Sequence, residues 1–308
     1  MPQWTPFSKV QQTQNLGAEV ILHGDSIAES AVRAQEICDV EGLTFVHPYD
    51  DDDIIAGQGT VALELLQDYP ELEVLIVPVG GGGLIAGCVI AAKAVNPSIS
   101  VMGIEAALFP SLANALQGVA PADGGQSIAD GIAVKSIGDK PLAIACDLVD
   151  DVEMVSESEI EQSIFDFLEL DKTVVEGAGA ATLAGLCKRR AEFEGKRVGL
   201  IASGGNIDSR VLASVITRGL VRGGRIVNFR IEIFDVPGQL GRMADIIGAA
   251  GGNIIEVRHQ RLFSDIPVRK LEIDIMIETR SRPHVSEIME RLSGTAHRVR
   301  ILSTTEEG

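Results

Sequence analysis

Basic residues are in short supply in this chain. Lys and Arg total 26 against 44 Asp and Glu, leaving a formal net charge of −18 over 308 residues. A balance so acidic argues against nucleic acid or an anionic membrane surface as a partner. It fits a salt-rich cytoplasm or, more simply, a soluble acidic enzyme. Cysteine is sparse and unpatterned. Cys38, Cys88, Cys146 and Cys187 are widely spaced with no C-x-x-C pair, so they read as reduced thiols of a cytoplasmic protein, and no metal-ligand spacing appears. The first residues, Met1 to Pro6, have neither a basic cluster nor an apolar run and do not read as a signal peptide. The longest apolar stretches are strand-length or interrupted by glycine and charge, so no segment reads as membrane-spanning. Repeats and low-complexity tracts are also missing.

What is present is alternation. From residue 8 to about 220, short β-branched runs are followed by longer Ala/Leu/Glu-rich segments. Strands are expected at 19–22, 43–46, 74–79, 101–105 and 198–202, and helices at 27–40, 54–68, 84–95, 157–170 and 178–193. This spacing points to an α/β fold with a doubly wound, mostly parallel sheet. Near Gly223-Gly224 the order changes to strand, helix, strand, strand, helix, strand. Strands are expected at 227–234, 254–260, 268–278 and 299–302, with helices at 240–250 and 283–292. That is a βαββαβ ferredoxin-like module. The expected division is residues 1–222 and 226–304, joined by a short linker.

The strongest local signal is Val77-Pro-Val-Gly80-Gly81-Gly82-Gly83-Leu84. An apolar strand enters four glycines and a helix follows. Four residues without Cβ let backbone N–H groups converge on an anion, and the helix N-terminus adds a favourable dipole. Phosphate is the natural ligand; the plain alternative is a tight turn. The pattern is neither G-x-G-x-x-G nor a P-loop. A second turn, Ser203-Gly-Gly-Asn206, follows the strand at 198–202. In a parallel sheet both turns can face one cleft, where Ser203 could hydrogen-bond a heterocyclic nitrogen. Otherwise Ser203 caps the next helix. Glu176 reads equally as a site carboxylate or a helix-start residue. Glu105 ends a strand and could bind a cation or simply be hydrogen-bonded. His47 reads as structural, and Asp130-Gly131 as a turn.

These pieces resemble fold-type II pyridoxal-phosphate (PLP) enzymes, whose fold is that of the tryptophan synthase β chain. Within them the likeness is to threonine ammonia-lyases (threonine dehydratases). The matching stretches run in family order: Thr5-Pro-Phe-Ser-Lys9-Val10, Leu16-Gly-Ala-Glu-Val20, Phe45-Val-His-Pro48, Ile55-Ala-Gly-Gln-Gly-Thr60, Gly80 to Leu84, Ile104-Glu-Ala106, Ile128-Ala-Asp-Gly-Ile-Ala133, Val175-Glu-Gly-Ala-Gly-Ala180 and Ser203-Gly-Gly-Asn206. The resemblance implies that Gly80, Gly81, Gly82, Gly83 and Leu84 hold the PLP phosphate and that Ser203 meets the pyridine nitrogen. A serine there leaves the nitrogen unprotonated, which suits elimination over transamination. The implied reaction turns L-threonine into 2-oxobutanoate and ammonia, and serine into pyruvate. Glu105 matches a cation-site glutamate of related serine racemases and dehydratases, although Ser111 stands where a further acidic ligand is expected.

The C-terminal module resembles an ACT domain. Asp235-Val-Pro-Gly-Gln-Leu240 matches its first turn and Gly252-Asn-Ile254 the start of its second strand. Such domains often pair and bind amino acids at the interface. Pro237, Gly238, Gln239, Leu240, Asn253 and Ile254 are the implied effector residues, and isoleucine or valine the implied effector of a homo-oligomer. One departure stands out. The family anchors PLP on a Schiff-base lysine in a Ser-Phe/Tyr-Lys-x-Arg-Gly context and uses a Ser/Ala-Gly-Asn-His loop. Lys9, Lys93, Lys135, Lys140, Lys172, Lys188, Lys196 and Lys270 all lie outside such a context. The expectation is therefore an incomplete PLP fold, truncated at its N-terminus and inactive alone. Competing readings are a non-catalytic amino-acid sensor with a degenerate PLP domain, and a serine racemase or dehydratase.

Overall fold

The computed structural model describes residues 1–302 apart from Pro6, Asp123, residues 261–266, Val268 and His297. By its internal contacts the chain divides into two compact units, Met1–Ser209 and Arg210–Gly308.

In the first unit, α1 (Phe7–Asn15), α2 (Ile27–Glu41) and α3 (Asp52–Asp68) precede the sheet. The alternation then runs β1 (Val74–Pro78), α4 (Gly83–Val95), β2 (Ser100–Ala106), α5 (Ser111–Gln117), α6 (Asp139–Leu148), β3 (Asp151–Val155), α7 (Glu157–Asp166), α8 (Gly177–Lys188), α9 (Arg190–Phe193) and β4 (Val198–Leu200). The four strands are parallel in the order β3-β2-β1-β4. Successive side chains of a strand face opposite sides of the sheet. A Cβ on Gly103 would meet Ile85 of α4, whereas the next residue, Ile104, lies against Gly185 of α8. The sheet is thus wound on both faces. Its core gathers Leu75, Val77, Val79, Ile85, Val89, Ile99 and Val101, all fully buried.

Close helix packing depends on two glycines. A Cβ on Gly87 of α4 would stand 2.2 Å from the Ile55 carbonyl oxygen, and one on Gly59 of α3 would stand 2.9 Å from that of Gly87. Their absence lets α3 lie backbone-to-backbone on α4.

The expected strands at 19–22 and 43–46 do not form. Ile21, Leu22, Leu43 and Val46 are exposed, and a strand exists only where a neighbour supplies a ladder. Segment 19–22 is tied to the first residues of the chain through Met1 N to Ile21 O at 2.8 Å, with His23 N on Met1 O at 2.8 Å just beyond it. For 43–46, Leu43 N turns back to Cys38 O at 3.0 Å instead. Conversely, β3 is a strand without an apolar run. It forms the edge of the sheet, with Lys188 on Glu153 at 3.0 Å and Arg189 paired to Asp151. Charge on an edge strand discourages further pairing and hides the strand from a hydrophobicity reading. The expected helix at 157–170 ends as regular α-helix at Asp166 and continues as a wider turn, Phe167–Asp171.

The second unit contains α10 (Ser209–Arg222), β5 (Ile226–Phe234), α11 (Gln239–Ala250), β6 (Asn253–Gln260), β7 (Lys270–Glu278), α12 (Arg282–Ser293) and β8 (Arg298–Ile301). Its antiparallel sheet has the order β6-β7-β5-β8 and completes the expected βαββαβ pattern. Val268, where the third of these strands was expected to begin, lies outside the described residues. Phe229, Ile231, Met243, Ile247, Ile273 and Ile288 form a separate, fully buried core. The expected linker is tied into this unit: Arg282 Nε donates to Arg222 O at 3.0 Å and Thr279 N to Arg225 O at 2.8 Å.

Candidate functional site

The strand order places both glycine turns at one spot. Chain direction leaves β1 towards β2 and β3 and returns on the other side of β1 as β4, so β1 and β4 flank a topological switch point. Ligands of open parallel sheets bind outside the carboxyl ends of strands at such a point. Gly80–Gly83 follows β1 and Ser203–Asn206 follows β4, with Ile76 opposite Leu200 and Ile201 N bonded to Ile76 O at 3.0 Å. Neighbouring strands lie about 4.8 Å apart. The two turns therefore leave the same edge side by side.

The first turn has its carbonyls and amides sorted. Gly80 O accepts from Ser111 Oγ at 2.9 Å, Gly81 O from Gly138 N at 3.1 Å and Gly82 O from Ala86 N at 3.0 Å. The N–H groups of Gly80, Gly81, Gly82, Gly83 and Leu84 meet no acceptor among the described residues, although the four glycines are buried. Buried amides are nearly always hydrogen-bonded. Consecutive unpartnered amides at the start of a thirteen-residue helix, α4, form a cradle for an anion, and a phosphate fits it. Gly82, at φ 91°, requires the left-handed conformation. Gly81 has a second reason to lack Cβ: it would sit 2.3 Å from the ring of Tyr49. Tyr49 is held edge-on to His47, whose Nδ1 accepts from Asp50 N at 2.8 Å, so His47 is structural here. Asp50 in turn accepts from Asp139 N at 3.1 Å and Lys140 N at 3.0 Å, bracing α6 against the cradle.

A chain of contacts joins the two turns. A Cβ on Gly80 would stand 2.9 Å from Ile132, one on Gly131 3.6 Å from Glu176, and one on Gly204 2.2 Å from Glu176 Oε1. Glu176 precedes α8 and makes no side-chain cap, so its carboxylate is turned towards the second turn rather than spent on the helix. Burial and the nearby Asp130 push its carboxyl above the usual range, while Lys9 opposes them. Lys9 itself bonds Asp130 at 2.5 Å. Ser203 is exposed at the mouth of the turn and does not cap a helix, since α10 begins only at Ser209.

Glu105 is fully buried at the end of β2, and its oxygens are already engaged. Oε1 accepts from Leu112 N at 2.7 Å and lies 3.0 Å from Ser111 Oγ, whose single proton it shares with Gly80 O, and Oε2 accepts from Ala113 N at 2.9 Å. Burial pushes its carboxyl up against the pull of these donors. Glu105 is a hydrogen-bonded carboxylate in this structure. No group of three His, Cys, Asp or Glu suited to a metal is found among the described residues.

The implied effector residues fall into two groups. Pro237, Gly238, Gln239 and Leu240 make the turn into α11, with Gly238 at φ 87°. Asn253 and Ile254 open β6 beyond the other end of that helix, with Asn253 Nδ2 on Glu278 Oε2 at 3.2 Å. A helix of this length separates the groups by roughly 18 Å, so one domain alone does not bring them together.

Sequence reasoning missed Tyr49 and Asp50, and quoted Ile132 only within the family-like stretch 128–133, without a role. Nothing in their spacing signals that they back the glycines. Only the glycines' own need for room hints at close neighbours.

Comparison with known proteins follows the same lines. Residues 1–204 match the family described as "Pyridoxal-phosphate dependent enzyme". The chain is 40% identical over 304 residues to an L-threonine ammonia-lyase of Thermotoga maritima, covering 98% of this chain and 76% of that protein. It is 41% identical over 305 residues to an L-threonine ammonia-lyase of Geobacter sulfurreducens, with the same coverage. Among solved structures, the processed form of threonine deaminase isoform 2 from Solanum lycopersicum superposes with a TM-score of 0.66 at 30% identity. That likeness covers 70% of this chain and 64% of that one. Maize serine racemase superposes with a TM-score of 0.64 at 33% identity, covering 72% and 69%.

Proposed function

The chain belongs to the pyridoxal-phosphate-dependent enzymes, and from that premise we propose that residues 1–209 are the cofactor-binding body of a threonine ammonia-lyase. The observation that carries this reading is the set of unpartnered amides from Gly80 to Leu84, placed beside the Ser203 turn at the switch point. The reaction class is deamination of L-threonine to 2-oxobutanoate and ammonia, with L-serine a smaller substrate of the same type.

PLP, when bound, supplies an electron sink for the bond broken at the substrate's α-carbon. The chain's part is to hold and tune. The amides of Gly80 to Leu84 would grip the phosphate. Ser203, on the adjoining turn, would meet the ring nitrogen without charging it. The half-buried Glu176, between Gly131 and Gly204, would lie along the path between the two turns. The proton-moving lysine of the resemblance has no counterpart in sequence context among the chain's lysines. We therefore expect the 308-residue chain by itself to bind PLP without turning over threonine.

Residues 226–304 would serve as an ACT-type amino-acid sensor, with isoleucine or valine as effector. The two groups of implied residues lie at opposite ends of α11, so a pocket using both would need a second copy of the chain. No helix among the described residues is long and apolar enough to cross a membrane; the cytoplasm is proposed as the location on the separate ground of four cysteines without a paired pattern.

The test is a titration of the purified chain with PLP, with pyridoxal as control, followed by an assay for 2-oxobutanoate from threonine. Tighter binding of PLP than of pyridoxal is expected, with no product. Equal binding of both removes the cradle; ordinary turnover removes the inactivity claim.

A further inference from the structure

Ser111 and Glu105 contribute nothing to the grip on phosphate described so far, yet they touch its framework. A peptide unit is planar and trans, so the carbonyl of one residue and the N–H of the next point to opposite sides of one plane. Fixing the carbonyl of Gly80 therefore aims the amide of Gly81. The other two tethers act alike: Gly138 N on Gly81 O aims the amide of Gly82, and Ala86 N on Gly82 O aims that of Gly83. Both of those tethers are backbone groups. The Gly80 carbonyl depends on a side chain, Ser111 Oγ at 2.9 Å, and has no other donor among the described residues.

Ser111 is itself placed by Glu105. The carboxyl lies 3.0 Å from the hydroxyl, whose single proton is shared between it and Gly80 O, and it holds the backbone of Leu112 and Ala113, so the first turn of α5 hangs from the end of β2. Both residues are buried, with Glu105 fully enclosed. Ser111 thus sits on a rigid mount between two adjacent strand ends, β2 behind it and β1 in front. We propose that Ser111 is a positioning residue of the cofactor cradle, aimed by Glu105 and acting through the Gly80 carbonyl. This rests on the reading that the cradle takes the phosphate of PLP.

The experiment compares the wild-type chain with Ser111→Ala and Ser111→Cys, each titrated with PLP, with pyridoxal and with inorganic phosphate as competitor. Circular dichroism and urea unfolding confirm that each variant is folded. Loss of one hydrogen bond should weaken PLP and inorganic phosphate by about five- to tenfold in Ser111→Ala. Pyridoxal, which lacks the phosphate, should bind unchanged. Ser111→Cys, close in size but a weaker donor, should show the same selective loss to a smaller degree, and it decides the matter if Ser111→Ala does not fold. Undiminished phosphate affinity in the folded variants overturns the proposal and leaves the cradle reading standing. An equal loss for PLP and pyridoxal also overturns it, since that marks a general packing defect. A wild-type chain with no preference for PLP over pyridoxal overturns both.

Discussion

Glu176 carries the clearest consequence at the scale of single residues. Burial first, and then the charge of Asp130, raise its carboxyl above the ordinary range, against the pull of Lys9. A carboxyl with a raised folded value holds its proton more tightly in the folded state. Its stabilising contribution is present below the unfolded value and is lost as pH rises through the folded one. Glu176→Gln cannot titrate there. Between about pH 5 and about pH 8 the variant should gain stability relative to wild type, measured by urea unfolding at the two pH values. A relative gain by wild type over that interval would refute the assignment. Legibility at this scale was uneven. Gly80 to Leu84 and Ser203 stood out because glycine runs after strands have few other uses. Glu176 was ambiguous, because a carboxylate before a helix reads as a dipole partner until its direction is known. Tyr49 was hidden, since one aromatic among polar residues carries no period.

Elements were legible where burial sets the pattern. β1 and β2, buried along almost their whole length, were expected within a residue or so of their observed bounds. In β5 the burial alternates cleanly, and the second unit's elements follow the expected order. Failure came where a partner, not composition, decides the outcome. Segments 19–22 and 43–46 have strand-grade residues without a ladder, and β3 has a ladder although acidic residues interrupt its valines. A prediction belongs here. Because a Cβ at position 87 would collide with the Ile55 carbonyl and the Gly59 amide, Gly87→Ala must push α3 away from α4. Overpacking of this kind costs about 1–3 kcal/mol. Since α4 begins at the cradle, PLP affinity should fall together with stability, read by urea unfolding and PLP titration on the same samples. Unchanged affinity would show that the start of α4 is insulated from its middle.

For the whole molecule, each unit owns a buried core, one around Leu75 and Ile85 and the other around Phe229 and Ile273. Unfolding monitored by calorimetry should resolve two transitions. PLP at about a hundred times its dissociation constant should raise the first unit's stability by about 2.7 kcal/mol and leave the second where it was. A single transition that moves as one would show that the units share their cooperativity. The charge balance was legible from composition alone, whereas the separate cores emerge only from which residues meet. One consequence of the cradle remains. Its contacts to an anion come from main-chain amides, none of which can gain or lose a proton over any ordinary pH. How tightly it holds a phosphate monoester should therefore track the ester's own second ionisation, near about pH 6. Loading must also take place against the repulsion of a chain that bears eighteen surplus negative charges, so that added electrolyte, which loosens most phosphate-binding proteins, should hasten arrival at this one.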